Sequence, residues 1–379
     1  MKVLHVVNIS FVIPYFLGEQ LIYFSQKGYE EYIACSPSED LPRYANLYKF
    51  RYTEVEITRQ ISLIKDLKAI HHLWKFIKQN EIDIVVGHTP KGGMCAMIAS
   101  FLAGTQRRIY FRHGLVYETA RGIKRFVLKS VDRITSLLAT RIVCVSESVA
   151  QKSIEDGLNS TKKQVILNRG TCNGIDVTRF DPSHINEVTR AQLQAKYHIK
   201  SDQIVIGYVG RLVRDKGIKE LVDAFEIVHQ EHPQTKLLLV GMLEQRDALA
   251  ADTVQKINTN PDITCTGKVA NEEIHNFYSL MNIFVLPSYR EGFPTSVLEA
   301  SSMKLPVLTT HATGCTDSII DQQTGLFIDH NAQDIANRII ELIQNKDLYH
   351  HLSESGRKFV IQNFTPILIW QEIEKLYKS

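Results

Sequence analysis

Apolar and polar positions follow two alternating rhythms along the chain. Short β-branched runs, apolar almost throughout, are separated by stretches where apolar residues return every three or four positions. In the first half the runs are VLHVVNI (3–9), EYIACS (31–36), TEVEI (53–57), IDIVVGH (82–88), RRIYFRH (107–113), RIVCVS (141–146) and QVILN (164–168). Between two of them, residues 62–80 predict a helix, with apolar residues at Leu63, Leu67, Ile70, Trp74 and Ile77. The segment NRGTCNGIDVTRFDPS (168–183) breaks the rhythm with Gly, Asn-Gly and Asp-Pro and predicts a hinge. After a connecting helix the pattern restarts with IVIGYVGR (204–211), TKLLLVG (235–241), DITCTG (262–267), IFVLPS (283–288), PVLTT (306–310) and GLFID (325–329). Nearly continuous apolar strands, each followed by a helix, predict parallel sheets covered on both faces. The expectation is an α/β chain of two Rossmann-like domains, over 1–182 and 183–363, with their parallel sheets facing an interdomain cleft.

Composition agrees with a two-domain globular protein. The chain has 379 residues, 44% hydrophobic and 22% charged, enough to bury two cores. Its six cysteines lie far apart, with no C-x-x-C pair, which argues against a zinc site or a disulfide scaffold and fits a reducing cytosol. The first residues lack signal-peptide architecture, and the longest apolar stretch, 92–104, is too short to span a bilayer. A cytoplasmic, non-integral protein is expected.

The net charge of +3 hides an asymmetry. Residues 1–182 carry 25 Lys+Arg against 17 Asp+Glu, and residues 105–141 alone carry nine against two. A basic window of this kind suggests an anionic partner, although a solvated surface is the plain alternative. Within it, Ile123, Phe126, Val127, Val131, Ile134 and Leu138 share one helical face, with Arg121, Arg125, Lys129 and Arg133 opposite. The expected arrangement docks the apolar face on the sheet and leaves the basic face for anionic lipid.

Candidate chemistry lies where strands of the second half end, the place where open parallel sheets bind ligands. GYVGRLVRDKG (207–217) carries Arg211 and Lys216 ahead of a helix, and two cations beside a helix N-terminus suit a diphosphate. Two surface cations in a loop is the other reading. SYREGFPTSVLEA (288–300) follows the next strand edge, with Pro294 at a first helical position. The amides of Thr295, Ser296 and Val297 are then expected to be free donors for an anion. Glu291 lies in the turn and Glu299 more than one turn into the helix; each suits vicinal hydroxyls of a sugar or ribose. Taken alone, they are equally a salt-bridging acid and an exposed helical one. The chain has no G-x-G-x-x-G, no G-x-x-x-x-G-K-[ST] and no D-x-D.

Glu291 and Glu299 form an E-x7-E motif and GRLVRDKG a G-R-x-x-x-x-K-G segment, and with these the chain resembles the retaining, GT-B-fold nucleotide-sugar glycosyltransferases of family four. HTPKGGMCAMIASFLAG, RIYFRHGLVYETARGIKR, CVSES and NGIDVTRF extend the likeness to bacterial capsule, exopolysaccharide and O-antigen transferases. The resemblance implies that Arg211 and Lys216 bind the donor diphosphate, Glu299 the ribose, and Glu291 the donor sugar. It also implies that amides near Ser296 and Val297 cap the phosphate and that Gly267, Lys268 and Val269 contact the base. His113 matches a histidine near donor sugar and acceptor, a core histidine being the alternative, and His88 and Lys91 line the same edge. The segment 364–379 is similar to the terminal helix that crosses back to the first domain. Implied further are a UDP-sugar co-substrate with no other cofactor and no metal, and a polyprenyl-diphosphate-linked acceptor. So are retention, an N-acetyl-fucosamine-type sugar, and a peripheral place at the cytoplasmic face of the inner membrane; no nucleic acid is expected. A nucleotide-sugar epimerase and a non-catalytic nucleotide-sugar sensor on the same fold remain alternatives. One departure stands out: many relatives carry a double glycine after the first strand, whereas NISFVIPYFLGEQ has only Gly18.

Overall fold

The computed structural model describes residues 1–58, 62–245 and 247–379. It divides into two compact units, Met1–Gly174 with Pro366–Ser379, and Ile175–Thr365. The strands found among the described residues each overlap a run marked by the sequence pattern.

In the first unit β1 (Lys2–Val6), β2 (Glu30–Cys35), β3 (Arg51–Glu54), β4 (Ile84–Gly87), β5 (Arg107–Arg112), β6 (Arg141–Cys144) and β7 (Gln164–Val165) form one sheet. Its order is β3-β2-β1-β4-β5-β6-β7, with every neighbouring pair parallel. Alternate side chains feed two cores. Leu4, Val6, Tyr32, Ala34 and Val85 belong to one, and Ile33 and Cys35 join Val7, Ile13 and Leu17 in the other. This two-sided burial is why the strands read as continuous apolar runs. The chain leaves β1 in one direction and resumes beside it at β4, so the sheet's switch point lies between them.

The second unit repeats the scheme. Strands β8 (Ile204–Val209), β9 (Thr235–Val240), β10 (Ile263–Cys265), β11 (Ile283–Leu286), β12 (Val307–Thr310) and β13 (Leu326–Ile328) stand in the order β10-β9-β8-β11-β12-β13. All neighbours are again parallel, and the switch point falls between β8 and β11.

The units part at Gly174/Ile175 and Thr365/Pro366, compared with the 182/183 and 363/364 read from sequence. Packing explains the shift. Ile175 and Phe180 are buried in the second core, the Ile175 amide donates to the Phe364 carbonyl at 2.7 Å, and Ser302 Oγ donates to the Phe180 carbonyl at 2.7 Å. The helix Pro366–Lys378 belongs to the first unit, where Trp370 Nε1 donates to Asn173 Oδ1 at 2.8 Å and the Tyr377 ring packs on Phe24.

One helix docks differently from the sequence expectation, although Arg121, Arg125 and Arg133 are exposed as expected. In Gly122–Leu138 the buried residues are Asp132, Thr135 and Ser136. Arg112, fully buried at the end of β5, donates to Asp132 Oδ1 at 2.8 Å, to Asn159 Oδ1 at 2.7 Å and to Ser136 Oγ. A buried guanidinium requires paired acceptors, so the polar face turns inward. Of the expected apolar stripe, Ile123, Phe126 and Ile134 are left outside, 84%, 72% and 51% exposed, and Leu137 beside them is exposed too, whereas Val127, Val131 and Leu138 are half-buried.

Candidate active site

Two loops meet at the switch point of the second sheet because glycine permits the approach. Gly217 has φ +68°, and a Cβ there would lie 2.1 Å from the Pro287 carbonyl. That contact lays the loop after β8 against the loop after β11. Lys216 Nζ and Glu291 Oε1 consequently stand 2.5 Å apart with little exposure, and Ser288 Oγ donates to the same carboxylate oxygen at 2.7 Å. Beside them Arg290 Nη2 donates to Asp215 Oδ2 at 3.0 Å, and the Tyr289 amide donates to the Asp215 carbonyl. Asp215 Oδ1 and Arg290 Nε are buried without a partner among the described residues. The turn after β12 closes the far side, where Gly314, at φ +82°, lets the backbone approach Gly292 and the Glu291 amide donates to the Thr313 carbonyl.

The other expected donor contacts are placed less uniformly. Arg211 is half exposed and turns to Glu244 Oε2 at 3.3 Å, away from Lys216's partner. The helix after β11 runs Thr295–Ser302 with Pro294 as its cap, one position outside the helix rather than in it. Val297 is not a free donor: its amide already bonds the Pro294 carbonyl at 3.0 Å. Thr295 and Ser296 keep amides without an acceptor among the described residues, so two donors remain where three were expected. Glu299, half-buried, accepts from the Tyr278 hydroxyl at 2.7 Å. Burial raises its carboxyl above the ordinary glutamate range, against the opposing effects of that hydrogen bond and of Arg179. Lys268 is exposed and Val269 half-buried in the turn after β10, where Gly241 and Gly267 form a backbone bridge.

In the first unit His113 follows β5 and is joined through His88 and His5 to Glu31, with contacts of 3.0, 3.1 and 3.2 Å in turn. Burial pushes the His113 imidazole down to about 3, and drives His88 well below its ordinary value with help from the two neighbouring rings. The loop after β1, where the double glycine is missing, supplies Phe16, whose ring stacks on His113 at 3.8 Å and 6°. Gly18 sits at φ +47° and ψ −127° in that loop, and a Cβ there would meet the Pro14 carbonyl at 2.8 Å. Lys91 stands at the helix start after β4, as expected of an edge residue, but is buried and ion-paired with Asp66. Its glycine neighbours also serve packing: Gly93 has the Tyr110 ring against the position of its missing Cβ.

Sequence reading missed Phe16, His5, Glu31, Asp215, Arg290, Ser288 and Tyr278. A histidine inside the apolar run of β1 was the one available signal for the buried file.

Two family models cover most of the chain. Glycosyltransferase Family 4 matches residues 17–179 and Glycosyl transferases group 1 matches residues 189–359. The chain is 33% identical, over its whole length and 97% of the relative's, to the capsular polysaccharide biosynthesis glycosyltransferase CapM of Staphylococcus aureus. The chain belongs to glycosyltransferase family 4. This family-4 chain is also 26% identical to the Escherichia coli UDP-Gal:alpha-D-GlcNAc-diphosphoundecaprenol alpha-1,3-galactosyltransferase, over 91% of this chain and 88% of that one. Among solved structures, Anabaena Alr3699/HepE in complex with UDP and glucose matches with a TM-score of 0.82 at 18% identity, each chain covered in full. That likeness carries the GT-B fold. Among the described residues no helix is long and apolar enough to cross a membrane.

Proposed function

We propose that this glycosyltransferase moves a sugar from a UDP-sugar to a polyprenyl-diphosphate-linked saccharide, with retention and without a metal ion, in capsule or O-antigen assembly. The observation that carries the reading is the Lys216–Glu291 pair, set beside the helix start of Thr295 at the β8/β11 switch point. A cation and unpaired amides at one strand edge match a diphosphate, and a carboxylate 2.5 Å from the cation matches the sugar attached to it. In this reading Lys216 and Arg211 take the diphosphate and Thr295 and Ser296 cap it. Glu299 holds the ribose, Lys268 and Val269 border the base, and His113 serves the acceptor. The E. coli relative, named for a UDP-Gal donor and a diphosphoundecaprenol-linked acceptor, supports both substrate classes.

The same reading brings the protein to a membrane surface, because its acceptor is a lipid. The helix Gly122–Leu138 supports this with exposed Ile123, Phe126 and Leu137 flanked by exposed Lys124 and Arg133.

The deciding experiment incubates the protein with a panel of UDP-sugars, N-acetyl-fucosamine-type donors included, with and without a polyprenyl-diphosphate saccharide. Acceptor-dependent product with the donor's anomeric configuration is the expected result. Isomerised nucleotide sugar in the absence of acceptor would make the protein an epimerase, and binding without turnover a sensor.

A further inference from the structure

Four titratable side chains form an unbroken file inside the first sheet. Glu31 Oε2 lies 3.2 Å from His5 Nε2, His5 Nδ1 lies 3.1 Å from His88 Nε2, and His88 Nδ1 lies 3.0 Å from His113 Nε2. Glu31, His5 and His88 are each 4% exposed or less. Every contact joins two nitrogens, or a nitrogen and a carboxylate oxygen, so each holds one proton and its direction is coupled to the next. With all three rings neutral and Glu31 ionised, each ring donates from Nε2 and accepts at Nδ1. His113 then ends the file with a lone pair on Nδ1. Adding one proton at that Nδ1 reverses the two bonds between rings, while His5 Nε2–H still donates to Glu31: His113 Nε2–H passes to His88 Nδ1, and His88 Nε2–H passes to His5 Nδ1. The added charge now rests on His5, against the Glu31 carboxylate.

We propose that Glu31, His5 and His88 are relay and positioning residues for His113, so that the file as a whole accepts the proton of the attacking hydroxyl. The proposal rests on the reading of His113 as the group at the acceptor. In the step, the hydroxyl O–H breaks and its oxygen bonds the anomeric carbon. The bond from that carbon to the diphosphate breaks, and the diphosphate keeps the electron pair. The proton goes to His113 Nδ1, the file shifts by one hydrogen bond at each ring, and the shift reverses when the product has left, releasing the proton to water.

The geometry is supported by electrostatics. Burial leaves His113 and His88 too weakly basic to hold a charge themselves, whereas His5 is the ring beside a carboxylate. The other titratable groups coupled to Glu31 are Tyr29 and Tyr377, phenols that burial holds above their ordinary range. Neither supplies a countercharge at neutral pH. Glu31 Oε1 is buried without a partner among the described residues, an arrangement that favours no folded-state stability and fits a group kept for its charge.

The test uses the full-length protein. Glu31→Gln keeps shape and removes the charge, and His88→Phe keeps a ring but cuts the file. Each is expected to lower kcat about 10²-fold, the usual scale of general-base assistance, with KM for the nucleotide sugar unchanged. Histidine ¹⁵N NMR of the wild type, titrated downward in pH, should show His113 changing from the Nε2–H to the Nδ1–H tautomer while His5 becomes doubly protonated. Wild-type kcat in both variants, or a doubly protonated His113 beside a neutral His5, overturns the relay. His113→Ala separates the two levels. If it keeps full activity, the assignment of His113 itself fails, whereas an inactive His113→Ala beside a fully active Glu31→Gln removes only the file. Should the variants fail to fold, the wild-type titration decides alone.

Discussion

Lys216 and Glu291, 75 positions apart in sequence, share an ion pair of 2.5 Å at the carboxyl edge of the second sheet. The cation proposed for the diphosphate is thus paired with the acid proposed for the sugar. Nucleotide sugar has to part them, and the two ligand groups then replace the two protein groups one for one. Loss of either residue therefore has different consequences. Glu291→Gln frees Lys216, so UDP affinity should hold or rise while turnover falls. Calorimetric UDP titration beside steady-state kinetics checks this. Weaker UDP binding in Glu291→Gln would contradict the exchange.

Glu299 offers a pH signature. Burial raises its carboxyl, so between the unfolded value of a glutamate and the raised one the folded chain binds the additional proton. Stability then falls as pH rises through that window. Ligand binding has the reverse sign, because only the ionised carboxylate can accept from two ribose hydroxyls. UDP affinity should decline on acidification at a higher pH than an ordinary glutamate predicts, by roughly 1.5–3 kcal/mol in full. Glu299→Gln should bind UDP more weakly and with a flat profile. A sloping profile in the Gln variant would assign the titration to another group.

The first unit should be acid-labile for the opposite reason. His113 and His88 are depressed in the folded chain, so below about 6.5 the unfolded chain binds protons that the folded one refuses. Stability is complete above that pH and is lost as pH falls toward about 3, the folded value of His113. Each histidine contributes a slope of up to about 1.4 kcal/mol per pH unit. Both tryptophans, Trp74 and Trp370, lie in this unit, so urea unfolding followed by their fluorescence reports on it. His88→Phe should give a visibly shallower dependence between pH 6.5 and 5.

The sequence disclosed most strands because the inner ones are buried on both faces and cannot be written without an apolar run; the edge strand β3 is largely exposed. It also disclosed where Lys216, Glu291 and Glu299 stand on turn and helix, since turn chemistry and helix starts fix where a strand-end residue sits. Side-chain pairing was not legible. Arg211 turning to Glu244, Lys91 sinking onto Asp66 and Phe16 stacking on His113 all join residues from different elements. The helix Gly122–Leu138 shows the limit of amphipathicity. Its stripe is plain in sequence, but which face docks was decided by Arg112, buried on β5 and in need of Asp132.

That reversal changes the expected mode of membrane attachment from basic to mixed basic and apolar. Burying Ile123 and Phe126 in a bilayer interface adds up to about 1.5–3 kcal/mol each to the electrostatic contribution of about 1 kcal/mol per nearby lysine or arginine. Ile123→Asp with Phe126→Asp should lower partitioning onto anionic vesicles at least about tenfold in a sedimentation assay. Wild-type binding should survive salt in part, because the apolar share is not screened. Binding abolished by salt and untouched by the double substitution would return the contact to charge alone.

Metal dependence tests the proposed division of labour at the donor site. As the glycosidic bond breaks, the departing diphosphate gains negative charge that must be met. Metal-dependent sites meet it with a divalent cation held by closely spaced carboxylates. Here the carboxylates of the loops after β8 and β11 are already committed to cations, Glu291 to Lys216 and Asp215 to Arg290. In the proposed reading the charge is met instead by Lys216 and by the amides of Thr295 and Ser296, which need no ion to be in place. Transfer should therefore continue in EDTA. Lys216→Ala should lose about 10²–10³ in rate, the scale for removing one preorganised group at a developing anion, and added magnesium should not restore it. Inactivation by EDTA, reversed by magnesium or manganese, would move the neutralising charge from Lys216 to a metal ion.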